Sequence, residues 1–349
     1  MVSIGINEAA AFQKAVSKAE NICLVTHMHP DGDALGSSLG LMNWFHESGL
    51  RARVVLPDSE PESIAFMAEG TEPGTVIRAD LNMAEALDAI SSADLLICLD
   101  MNVFNRAEPL TEALEATLCP RILIDHHIGP DESLFQIVMS RPEISSTSEL
   151  VFWLLMSLPG TGGDARRLPR FCADSLMTGM TTDTNNFSNS AIPSTFSMAS
   201  MLIDAGVDRD AIVTRINNRY REERVRLMGH MLGNLMEITD EGVAFMVLDK
   251  ATQDRFGIRE GETEGFVNIP LTIDKVGISM LLKEDTDRFR VSIRSKKGLS
   301  ARRLAMEWFN GGGHEQAAGG KLPKALVPDA EGVTQYVRNA VRKFMENEN

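Results

Sequence analysis

The chain has 349 residues, 44% hydrophobic and 24% charged, with a net charge of −15. That length exceeds one small core and favours two domains, and the composition is that of a soluble globular protein. So acidic a surface argues against gripping long duplex nucleic acid, and no apolar run approaches bilayer-spanning length, so neither duplexes nor a membrane is an expected partner.

The first residues, MVSIGINEAAAFQKA, lack the basic-then-apolar pattern of a signal peptide and read as the start of an amphipathic helix, so the expected location is cytoplasmic. Cys23, Cys98, Cys119 and Cys172 are far apart and form no C-x-x-C pair. They read as buried free thiols, without disulfides or a zinc site.

Along the chain, NICLVTH (21–27) reads as a buried strand, followed by a helix through ALGSSLGLMNWFHESG with Gly49 at its end. RARVVLP (51–57), ADLLICLD (93–100) and RILIDHH (121–127) read as three more strands, with helical stretches between them, notably 82–91. Such alternation implies right-handed βαβ units and a parallel sheet. SSTSELVFWLLMSL starts a further helix, with Ser146 and Glu149 as a capping box. Another helix, LPRFCADSLMTGM, leads into a loop, TTDTNNF.

Residues 208–238 read as largely helical and as a connector. Beyond it GVAFMVLD is a strand, VGISMLLKED and DRFRVSIRS form an antiparallel hairpin turning near Glu284–Asp287, and LSARRLAMEWF is a helix. NGGGHEQAAGG and a C-terminal amphipathic helix follow. The expected fold is α/β: a doubly wound, mainly parallel N-terminal domain (1–195), a helical connector (196–239) and a smaller C-terminal α/β domain with a mixed sheet (240–349).

In open α/β sheets, ligands bind beyond the carboxyl ends of the strands. The first strand ends in His27, Asp31 and Asp33, the third in Asp100 and the fourth in Asp125, His126 and His127; Asp183, in a loop, reaches the same rim. Any one aspartate here is a turn former or helix cap. Four on one rim repel one another unless cations lie between them, and His126 and His127 after an apolar strand are not turn residues. Two divalent ions answer the repulsion. They sit roughly 3.5–4 Å apart in bimetallic sites, stabilise an in-line phosphoryl displacement and lower the pKa of a shared water. Asp100, alone on the middle strand, suits a bridging carboxylate. The mixed carboxylate and imidazole ligands favour Mn2+, with Mg2+ or Co2+ as alternatives.

THMHPDGDALGSS, the aspartate of ICLDMN, IDHH and TTDT resemble, in order, the four motifs of the DHH phosphoesterase family, and GGGHEQAAGG resembles the glycine-rich motif of its DHH-associated C-terminal domain. Within the family the motifs are similar to those of the bifunctional oligoribonuclease and PAP phosphatase branch. The resemblance implies that His27, Asp31 and Asp100 bind one metal and that Asp33, Asp100, His126 and Asp183 bind the other. It places His127 at the scissile phosphate and makes Asp125 the partner that orients a neighbouring histidine. His29 matches no family ligand position and reads as an exposed loop residue. Asn185 stands where the family often has glycine, and asparagine tolerates the left-handed turn expected there.

Residues 288–303 carry seven basic side chains and no acidic one. Beside Gly311, Gly312, Gly313 and His314 they suggest an anion-binding surface, since glycines let backbone N–H groups approach a phosphate. Arg294, His314 and, by resemblance, Asn268 are the substrate-contact candidates; Phe289 and Trp308 fit core positions better than base stacking.

The implied activity is hydrolysis of linear dinucleotides and short oligoribonucleotides to mononucleotides, and of 3′-phosphoadenosine 5′-phosphate to AMP, by a metal-bridging hydroxide. The C-terminal domain would hold one end of the substrate, in a homodimer. The alternatives are a cyclic-dinucleotide phosphodiesterase, a pyrophosphatase or polyphosphatase, and a non-enzymatic nucleotide-binding protein. Gly36-Ser37-Ser38-Leu39-Gly40 fits G-x-S-x-G, but Ser38 falls too far beyond the strand for a nucleophile elbow and reads as helix packing.

Overall fold

The computed structural model describes residues 4–217, 220–259 and 261–346. The chain divides into two compact units, Met1–Arg219 and Tyr220–Asn349.

The first unit is built on strands β1 (Asn21–Val25), β2 (Arg51–Leu56), β3 (Val76–Arg78), β4 (Leu95–Leu99), β5 (Arg121–Asp125) and β6 (Ile137–Ser140). All pair in parallel, in the order β3-β2-β1-β4-β5-β6. Its helices are α1 (Ile6–Val16), α2 (Gly32–Glu47), α3 (Met83–Ser91), α4 (Thr111–Ala116), α5 (Thr147–Ser157), α6 (Arg170–Asp183), α7 (Pro193–Asp204) and α8 (Arg209–Asn217). Both sheet faces are covered, which explains the unbroken apolar runs. Ile22, Leu24, Ile97 and Leu99 pack on one side with α2, α5 and α6, while Cys23, Val25, Leu96 and Cys98 pack on the other with α3 and α4. The strand order reverses direction between β1 and β4, the switch point where such sheets bind ligands.

The second unit holds α9 (Glu222–His230), β7 (Met236–Ile238), β8 (Val243–Leu248), α10 (Lys250–Phe256), β9 (Ile278–Glu284), β10 (Arg288–Ser295), α11 (Ala301–Trp308), β11 (Gly312–Gly313), β12 (Ala317–Pro323) and α12 (Ala330–Glu346). Its sheet runs β11-β12-β10-β9-β8-β7, antiparallel except for the parallel β8–β9 pair. Phe245, Met280, Phe289 and Ile293 form a core with α11 and α12.

The α/β class and the mixed second sheet are as expected. Several local readings change. The stretch 196–239 is not one connector: α7 and α8 lie in the first unit, α9 opens the second, and Met236–Ile238 is a strand. β3 and β6, both short and only partly buried, carried no strand signal strong enough to read. Asp183 is the last residue of α6 and not part of a loop. Ser146 caps α5 by accepting from the Glu149 N–H, but the Glu149 carboxylate turns to the Ser145 hydroxyl, so the capping box is half formed. The glycine motif is a hairpin, β11–β12, and Cys119 is only half-buried. Phe289 is core, and Trp308 packs against that core.

Helices α2 and α6 touch through glycines. A Cβ on Gly36 would lie 2.7 Å from both the Gly179 Cα and the Ser175 carbonyl oxygen. Gly36→Ala should therefore destabilise the protein by about 1–3 kcal/mol through overpacking. Gly229→Ala, in α9 with nothing within 4 Å of the new methyl, should stabilise it by about 0.4–1 kcal/mol. Urea midpoints of the two variants check the contrast.

Candidate metal centre

Three neighbouring strands end at one place. The register of β1 with β4, and of β4 with β5, brings their carboxyl ends side by side. Past β4, Asp100 keeps the ladder by donating its N–H to the Ile124 carbonyl at 3.1 Å, while its φ of +58° turns the chain into a left-handed conformation. Such backbone strain in a non-glycine residue persists only where the surroundings over-determine it.

Asp31 is the N-cap of α2, accepting from the N–H groups of Asp33 and Ala34 at 2.9 and 3.0 Å. This fixes Asp33 in the first helical turn, pointing inward and 1% exposed. Asp183 arrives from the end of α6, which the α2–α6 glycine contact brings close. A Cβ on Gly32 would strike Thr182, the residue before Asp183, at 2.3 Å. Beyond Asp183, Asn185, Asn186 and Phe187 all have positive φ, so the left-handed turn expected at Asn185 forms without glycine.

The ligand atoms of His27, Asp31 and Asp100 lie within 4.8 Å of one another, as do those of Asp33, His126 and Asp183, and those of Asp100, His126 and His127. His27 Nδ1 is 2.8 Å from the Met28 carbonyl oxygen, which can only accept, so in the neutral ring Nδ1 holds the proton. Nε2 then presents its lone pair 3.3 Å from Asp100 Oδ2. His126 Nε2 lies 3.5 Å from Asp100 Oδ1 and 3.7 Å from Asp183 Oδ2. His127 Nδ1 donates to Asp125 Oδ1 at 2.8 Å. Asp125 is fully buried. His29 is apart from all this: it is exposed and paired with Asp58.

Two residues at the start of α5 were missed. The Thr147 and Ser148 N–H groups donate to Asp33 Oδ2 and Oδ1 at 2.6 and 2.8 Å, and the Thr147 hydroxyl donates to Asp100 Oδ1 at 3.0 Å. In the sequence SSTSE these residues signal only a helix start.

The carboxylates are poorly stabilised as anions. Burial, then the charges of Asp33 and Asp31, push the Asp100 carboxyl well above the ordinary range, and burial also raises Asp33. Burial and the neighbouring Asp33 raise Asp183 to about 7. For His126 burial favours the neutral ring, but Asp33, Asp100 and Asp183 outweigh it and raise its pKa. Mutually repelling carboxylates interleaved with imidazole nitrogens fit divalent cations. His27, Asp31, Asp33, Asp100, His126, His127 and Asp183 are the groups that could hold them.

Residues 21–180 match the DHH family, N-terminal domain, and residues 240–347 match the DHHA1 domain. An exopolyphosphatase-related protein from Bacteroides fragilis is 35% identical, with a TM-score of 0.86 over 100% of this chain and 99% of its own. The chain belongs to the DHH family. Among curated relatives, the bifunctional oligoribonuclease and PAP phosphatase NrnA of Thermus thermophilus is 28% identical over 92% of this chain and 89% of its own length. The cyclic-di-AMP phosphodiesterase PdeA of Listeria monocytogenes is also 28% identical, but the 92% of this chain that aligns spans only 48% of that protein. This DHH protein is thus a phosphoesterase by family, with acidic and imidazole groups able to bind metal. No helix among its described residues is long and apolar enough to cross a membrane.

In the second unit, Arg294 lines a groove of about 470 Å³ with Thr263, Gly265, Lys283 and Ser292. His314 and Asn268 are exposed and are not part of its lining. Gly311 and Gly313 are required by the hairpin itself: a Cβ would meet the Gly319 carbonyl oxygen at 2.0 Å and the Ala317 carbonyl oxygen at 2.7 Å, respectively. Only Gly312 has open space around it.

The raised Asp183 pKa has a measurable sign. Between the ordinary value of 3.8 and about 7 the folded state binds more protons than the unfolded chain. Metal-free stability contributed by this group therefore falls as pH rises through that window. In EDTA, Asp183→Asn should flatten the decline of Tm between those pH values, as differential scanning calorimetry would show.

Proposed function

We propose that this DHH protein is a cytoplasmic, Mn2+-dependent phosphodiesterase that cleaves linear dinucleotides and short oligoribonucleotides to mononucleotides, and 3′-phosphoadenosine 5′-phosphate to AMP. The carrying observation is Asp100, buried and shared by two ligand groups, beside His126 and the Asp125–His127 pair. When bound, divalent ions would neutralise the phosphate and lower the pKa of a coordinated water. His27, Asp31 and Asp100 would hold one, and Asp33, Asp100, His126 and Asp183 the other. Asp125, by accepting the Nδ1 proton of His127, leaves Nε2 as the atom open to the scissile phosphate. Arg294 is the proposed phosphate contact of the second unit, suited to it by its forked donors. His314, Asn268 and the backbone at Gly312 are further candidate contacts.

Cyclic dinucleotides are the second reading, favoured by the similarity to PdeA over nearly all of this chain. A panel of linear dinucleotide, cyclic dinucleotide, 3′-phosphoadenosine 5′-phosphate, longer RNA and pyrophosphate, with added Mn2+, ranks the readings. The linear dinucleotide should show the highest kcat/KM; preference for the cyclic one or for pyrophosphate refutes the proposal. Asp100→Asn should abolish turnover, and Arg294→Ala should raise KM for the dinucleotide while sparing a small generic phosphodiester.

A further inference from the structure

We infer that Thr147 is a positioning residue of the metal centre: it ties Asp33 to Asp100 and fixes which carboxylate oxygens are presented to the cations. The inference rests on reading those two aspartates as cation ligands.

Asp33 comes from the first turn of α2 and Asp100 from the end of β4, so no local hydrogen bond relates them. Both carboxylates are buried, and the charge of Asp33 raises the proton affinity of Asp100. Left to repulsion alone, they would rotate apart about their side-chain torsions. Among the described residues, Thr147 hydrogen-bonds to both. Its N–H takes Asp33 Oδ2 at 2.6 Å, and its hydroxyl takes Asp100 Oδ1 at 3.0 Å. Thr147 is itself fully buried and is the first residue of α5, so its backbone is fixed by the helix and by the Ser146 cap.

The consequence for Asp100 is an asymmetry between its oxygens. Oδ1 receives the Thr147 hydroxyl and lies 3.5 Å from both His126 Nε2 and His127 Nδ1. Oδ2 is left facing His27 Nε2 at 3.3 Å. A carboxylate that serves two ions must offer one oxygen to each side, and the hydroxyl holds it in that orientation. For Asp33, the adjacent Ser148 N–H takes the second oxygen at 2.8 Å, so the carboxylate plane is locked against the positive end of α5. Groups that orient metal ligands in this way typically govern affinity by 10–100-fold.

Thr147→Val keeps the shape and the N–H and removes only the hydroxyl; Thr147→Ser restores it. Calorimetric titration of MnCl2 into chelator-stripped protein should show affinity about 10–100-fold weaker for the valine variant, and most of that loss recovered by serine. The increase in Tm on adding Mn2+ should shrink in parallel for valine, whereas a merely structural threonine would lower Tm equally with and without the ion. Valine protein that binds Mn2+ as tightly as the wild type, or serine protein that is as weak as valine, overturns the inference. A wild type that binds no Mn2+ overturns it as well. None of these readouts requires turnover. A wild type that binds Mn2+ but cleaves no nucleotide therefore refutes the proposed activity and leaves the Thr147 comparison standing.

Discussion

The fold is arranged around a repulsion. Asp31, Asp33, Asp100 and Asp183 converge from three segments far apart in sequence, two of them almost wholly buried. In a low-dielectric interior such a set is unfavourable unless each charge is protonated, hydrogen-bonded or paired with a cation. The first two remedies are visible, and the third has its ligand atoms in place. Proton affinities are raised, α5 spends its first two free N–H groups on Asp33, and imidazole nitrogens stand between the carboxylates. An N-terminal helix turn would ordinarily be satisfied by water or a capping side chain. Here a carboxylate from another helix takes that place, and this couples the metal centre to the folding of α5.

Bringing the carboxylates together requires backbones to come close. Asp33 and Asp183 sit on α2 and α6, and these cross at Gly36 and Gly179, where neither helix carries a side chain. Glycine in a helix interior costs about 1 kcal/mol relative to alanine. That cost is offset by apolar packing along the rest of the contact, including Leu35, Leu39, Met42, Leu176 and Met180. The same small residues, Gly36 and Ser38, make up the segment that imitates a serine-hydrolase elbow. Ser38 is instead buried inside α2 with its hydroxyl bonded to the Ala34 carbonyl.

Much of this was legible because it is periodic or local. Buried parallel strands announce themselves as apolar runs, and histidines directly after such a run have no structural excuse. Asn185 was readable as a left-handed residue from the family position it occupies together with asparagine's tolerance of that conformation. Other features were not legible. β3 and β6 are short and partly exposed, so they lack both run and alternation. The end of α6 was misplaced because TTDTNNF is poor in helix formers, yet Thr181 and Thr184 bond back to carbonyls four residues earlier and carry the helix through Asp183. Thr147 was invisible as a site residue because its role depends on a register between α5, α2 and β4 that no local pattern encodes. The glycine motif misled in the opposite direction, since two of the three glycines at 311–313 answer to strand contact.

A protein of net charge −15 that handles phosphates must reverse its field locally. Four ionised aspartates at the centre would repel a phosphodiester, and two divalent ions bound there as proposed would cancel that charge and leave His127 to face the substrate. The basic run in the second unit contributes less than its count suggests. Arg288 pairs with Asp287, Arg290 with Asp285 and Arg303 with Glu307. Of the run, Arg290 and Arg294 line the groove of the second unit, and among the described residues the Arg294 guanidinium bonds to the Ile293 carbonyl and to no carboxylate. An arginine kept clear of counter-charges in so acidic a chain retains its full attraction for an incoming anion. That is the physical reason to propose this side chain, and not the run as a whole, as the phosphate contact.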